Sequence, residues 1–127
     1  MDNIDINSKL KEIKTEDYIW IIYIGIIILS WYSNSLERRY FIFNDLKSKE
    51  EYRKILILIF SILLVVYLYF FYSSLSDVEE LKETDSDKKK QLAYLSLIAS
   101  LLIVISGAIF LYIAYADESI DIELAFN

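Results

Sequence analysis

The chain has 127 residues, 56% of them in the hydrophobic set and 25% charged, and its mean hydropathy is +0.37. A soluble domain this short buries only about two-thirds of its unfolded surface, too little to hide long apolar runs on several elements at once. With no histidine and no cysteine, thiol nucleophiles, imidazole bases, zinc fingers and disulfide frameworks are excluded, and a net charge of −6 opposes nucleic-acid binding through phosphate neutralisation.

In chain order, residues 1–17 form a polar N-terminal tail. Ile4 and Ile6 alternate with Asn3, Asp5 and Asn7, a period-two strand signal, while Ile6, Leu10 and Ile13 also fit a short amphipathic turn on a membrane interface. Thr15 before Glu16 and Asp17 reads as a helix start. Three uncharged windows follow at 18–36, 55–76 and 91–116. At about 1.5 Å per residue each reaches the roughly 30 Å of a bilayer core, and each is expected to be a transmembrane helix. Aromatics gather near their ends, with Tyr18, Trp20, Trp31 and Tyr32 on the first, residues 67–72 on the second, and Tyr94, Tyr112 and Tyr115 on the third, as an interfacial belt requires. A cleaved signal peptide fits the first window poorly, because Glu16 and Asp17 abut it and Trp31 and Tyr32 crowd the would-be cleavage site.

The connections lack proline and glycine; Gly25 and Gly107 lie inside the windows. Helices are therefore expected to run past the membrane surface and to break at short turns near 44–45 and 84–87. Restart signals are the capping box Ser48-Lys49-Glu50-Glu51 and Asp85 or Ser86. The fold expected is an all-α integral membrane protein of one domain, with three transmembrane helices and an acidic C-terminal tail at 117–127. Lysine and arginine number 3 in residues 1–17, 6 in 37–54, 4 in 77–90 and none in 117–127, so charge balance does not orient the chain.

No ionisable residue falls inside any window, which removes the usual coupling group of a transporter. The acidic run Asp77, Glu79, Glu80, Glu83, Asp85 and Asp87 has neither EF-hand spacing nor a turn glycine and is interleaved with Lys82 and residues 88–90, so it reads as a solvated turn. Ser61, Ser96, Ser100 and Ser106 have no base to activate them, and are expected to bond their own helix carbonyls or a neighbouring helix. No catalytic residue, metal ligand or cofactor is expected.

Two patterns remain. Ala93, Ser100, Gly107 and Ala114 recur every seven residues with Ser96 on the same seam, a small stripe that admits close helix approach at a left-handed crossing. Gly25 offers a matching notch within the chain, and a second copy is an alternative occupant. At the C-terminus, Ile120, Ile122, Leu124 and Phe126 alternate with Asp121, Glu123 and Ala125, a pattern of either a strand able to add to a partner's sheet edge or, as the plainer reading, a solvated and partly disordered terminus. The function expected is that of a small non-enzymatic multi-pass protein of the cell membrane. Its partners would be lipid and another membrane protein or a second copy, and it would act as a subunit, adaptor or regulator. The alternative is an oligomeric pore. In size and span count the chain is similar to three-span phage holins, whose tails are usually basic, whereas Asp117, Glu118, Asp121 and Glu123 make this one acidic.

Overall fold

The computed structural model describes residues 3–124, the first three of them by backbone alone. It is all-α: α1 runs Asn3–Phe43, α2 Leu46–Glu79 and α3 Asp87–Ala116. All three helices are long and apolar enough to span a membrane by length and composition, α1 being the least apolar. At 1.5 Å per residue they measure roughly 45 to 60 Å, longer than a bilayer core, as the breaker-free connections lead one to expect.

Sequence chemistry sets the helix ends. Asn44 takes a left-handed backbone conformation (φ 52°), which asparagine tolerates better than most non-glycine residues. Asp45 then caps α2, its carboxylate accepting from the Lys47 amide at 3.1 Å and from the Ser48 hydroxyl at 2.8 Å. The capping-box expectation is corrected on this point: Ser48 is inside α2, buried, and holds the cap instead of being it. Ser86 caps α3 as expected, accepting from the Lys89 amide at 3.1 Å.

The N-terminal tail is also corrected. Residues 3–17 are neither strand nor a separate turn; they are the first turns of α1. Thr15 restarts nothing, and its hydroxyl donates to the Lys11 carbonyl one turn back. A period-two pattern two isoleucines long is too short to oppose propagation of a helix already nucleated by the apolar segment after it.

α2 is the centre of the molecule. α1 packs on one of its flanks and α3 on the other, and among the described residues α1 and α3 do not pack against each other. Among the covered positions, Glu12, Glu16, Ile19, Tyr23, Ile26, Ser30, Ser33, Glu37 and Tyr40 of α1 and Ala93, Leu97, Ser100, Val104, Gly107, Leu111 and Ala114 of α3 step alternately by four and three, with Leu36 of α1 and Phe110 and Ile113 of α3 covered beside the stripe. That 3.5-residue repeat keeps one stripe against a neighbour along a left-handed crossing. Leu56, Ile59, Phe60 and Leu63 of α2 join Ile26 and Leu36 of α1 and Ala114 of α3 in one core. The outer faces are apolar as well, from Trp20, Ile24 and Ile28 on α1 to Leu102, Ile109 and Tyr112 on α3.

Candidate interaction surfaces

The α3 seam faces α2. Gly107 is buried, and a β-carbon added there would stand 2.9 Å from Tyr67 Cδ2, 3.3 Å from Tyr67 Cε2 and 3.5 Å from Leu64 Cδ1. Glycine is thus what allows the tyrosine ring to lie on the α3 backbone. Ala114 is buried one heptad later, while Ala93, one heptad from Ser100 towards the other end, is only partly covered. Between them Ser74 of α2 brings its hydroxyl within 2.8 Å of Ser100 Oγ and 3.3 Å of Ser96 Oγ. Ser100 also donates to the Ser96 carbonyl, as Ser30, Ser33 and Ser61 donate to carbonyls three or four residues back. The hydroxyls are satisfied by helix backbone and by one another, as packing between apolar helices requires.

Gly25 does not supply the notch. Nothing lies within 4 Å of a β-carbon built on it, because its position on α1 falls on the face turned away from α2. That open notch sits one turn from a shallow depression of about 300 Å³ lined by Ile28, Trp31, Tyr32 and Ser35. Trp31 there is 79% exposed, the most exposed large apolar side chain among the described residues.

The C-terminal segment is a hook. Among the described residues no strand forms; Ile120 and Leu124 fold back over Tyr52 and Leu56 of α2 and Ile113 and Ala114 of α3. Leu124 is 5% exposed, whereas Ile122 stays 58% exposed. Phe126 lies outside the described residues. The hook is built on Asp117, whose Oδ2 accepts from the Ile122 amide at 2.8 Å while Ser119 bonds both Asp117 and Asp121. This turn holds Ile120 at φ 49°, a left-handed conformation costing a β-branched residue on the order of 1–3 kcal/mol. Arg53 anchors the same end, donating through Nη2 to the Tyr115 carbonyl at 2.9 Å. Its Nε is buried without a hydrogen-bond partner. The bond from Ile122 first, with those from Asp121 and Ser119 and the Arg53 charge, holds the Asp117 carboxyl below the ordinary aspartate range.

The acidic run after α2 closes as a turn. Asp85 accepts from the Lys82 amide at 2.8 Å and from the Lys89 ammonium at 3.3 Å, and these bonds, the amide first, lower its pKa. At this same end Glu12 of α1 accepts from Ser73 of α2 at 3.2 Å and pairs with Lys9 at 3.6 Å. Each uncharged window taken alone is free of ions, yet the packing of α1 brings a carboxylate alongside the window of α2. Sequence reasoning also missed Tyr67, Ser74 and Arg53, for which no spacing gives a signal: α2 is apolar on every side, and only the fold selects which side chains meet α3. Comparisons with protein families, with curated proteins and with solved structures gave no match to this chain.

Proposed function

We propose that this is a small, non-enzymatic, multi-pass protein of the cell membrane that acts by binding another membrane protein through the outer face of α1. The observation that carries the reading is the open notch at Gly25 beside the depression at Ile28 and Trp31. The small stripe on α3 is already occupied by α2, so it is not free for a second helix. The hook likewise holds two of its apolar residues, Ile120 and Leu124, against the chain's own core. What remains is α1, where a glycine between large side chains permits a partner backbone to approach and exposed aromatics supply area at low entropic cost.

A photo-crosslinking residue placed at Ile28 in intact cells is expected to give a discrete protein adduct, and the same residue at Ile109 on the outer face of α3 only lipid adducts. Gly25→Leu, which meets open space, should abolish the protein adduct without lowering thermal stability. Lipid adducts alone at Ile28 would overturn the reading. Prompt potassium leakage on induced expression would do so too, in favour of an oligomeric pore.

A further inference from the structure

The packing contacts fix how the three helices are staggered along the bundle. Between α2 and α3 the paired positions are Arg53 with Tyr115, Phe60 with Phe110 (ring centroids 5.7 Å apart), Tyr67 with Gly107, and Ser74 with Ser96 and Ser100. Their uncharged windows, 55–76 and 91–116, therefore lie level. Between α1 and α2 the pairs are Tyr40 with Lys49, Tyr32 with Glu51 at 2.9 Å, and Glu12 with Ser73. Here the windows are out of step. The start of the α1 window is level with about residues 67–69 of α2, and its end is level with Lys49, Glu50 and Glu51, outside the α2 window.

At one end, then, Lys11, Glu12, Lys14, Glu16 and Asp17 run beside the last apolar turns of α2; at the other, Trp31 to Leu36 of α1 run beside charged turns of α2 that carry Arg53 and Lys54. Residues uncharged on all three helices at once span about 55–68 of α2, roughly 20 Å at 1.5 Å per residue, against roughly 30 Å for an ordinary bilayer core. On α1 the exposed tyrosines and tryptophans bracket the same stretch. Tyr18 and Trp20 stand at one end of it and Trp31 and Tyr32 at the other. On α1 the two tryptophans are eleven residues apart, roughly 17 Å along the helix. Lysines can snorkel out of hydrocarbon, but the shorter Glu16 and Asp17 reach less far.

Resting on the membrane reading above, we infer that this chain is matched to a lipid surface of about 20 Å hydrophobic thickness. In a bilayer of ordinary thickness it draws the leaflets together around α1. The partner is the lipid itself, short-chain or locally thinned, and the recognising groups are the aromatic belts and the offset charges of α1.

The full chain is reconstituted into vesicles of monounsaturated phosphatidylcholines from dimyristoleoyl through dioleoyl to dierucoyl. Quenching of Trp20 and Trp31 by the brominated forms then gives relative lipid association constants. Association is expected to be strongest for the shortest chains and to fall severalfold, on the order of 3- to 10-fold, by the longest. The variant Lys14→Leu/Glu16→Leu/Asp17→Leu, checked for helicity, lengthens the apolar stretch of α1 and should move the optimum to longer chains. A flat profile, or an optimum at dioleoyl for the unmodified chain, overturns the inference while leaving the membrane reading intact. Failure of the chain to float with vesicles, or its release by alkaline carbonate, overturns the membrane reading itself.

Discussion

Substituting Gly107 by alanine isolates the close contact on which α3 docking depends. The new β-carbon would stand 2.9 Å from Tyr67 Cδ2, so the ring or the helix must move, an overpacking cost of about 1–3 kcal/mol. Against it stands the helix propensity gained on replacing glycine by alanine, about 1 kcal/mol. Gly25→Ala carries the same propensity gain with open space around it, so it is expected to stabilise, and the two variants should differ by the packing cost alone. Gly107→Leu should be worse than Gly107→Ala, whereas Ile109→Leu, on the outer face at 54% exposure, should stay within about 0.5 kcal/mol of the parent. Thermal unfolding in mild detergent, followed by circular dichroism, reads these differences at on the order of 4 °C per kcal/mol. A cycle with Tyr67→Ala should recover at least about 0.5 kcal/mol of coupling with Gly107→Ala. Equal shifts for Gly25→Ala and Gly107→Ala, or no coupling to Tyr67, would refute the seam as a close backbone contact.

Two further outcomes are expected. Ser86→Ala removes the α3 cap and should cost about 1 kcal/mol in the same unfolding assay, with Ser86→Asn retaining most of it. The Asp117 carboxyl is held below the ordinary aspartate range by the Ile122 amide, so its contribution to hook stability is full above that range, near 3.9, and is lost as pH falls through the lower folded value. The protection factor of the Ile122 amide, taken relative to intrinsic exchange at the same pH, should fall at acid pH, and Asp117→Asn should remove that pH dependence.

The heptad of small residues on α3 was legible because small side chains every seven residues leave a trace in one helix alone. Tyr67 was not, since a central helix apolar on all sides carries no mark of which face meets which neighbour. The alternation of Ile120, Ile122 and Leu124 misleads as a strand signal: the apolar residues fold over α2 and α3 around the Asp117 carboxylate, and alternation does not encode a backbone turned at Ile120. Residues 3–17 look like a tail because hydropathy weighs charge, whereas the backbone simply extends the adjoining helix. The offset of α1 escapes any single-helix reading, because thickness common to three helices is defined only by their register.

Whether each of the three helices crosses a bilayer can be read directly in a chain without cysteine. Single cysteines at Asn44, Thr84 and Ser119, all exposed, are treated in intact cells with a membrane-impermeant maleimide before and after permeabilisation. Asn44→Cys and Ser119→Cys should behave alike and Thr84→Cys oppositely, whichever side faces out. Labelling of all three from the same side would rule out three crossings.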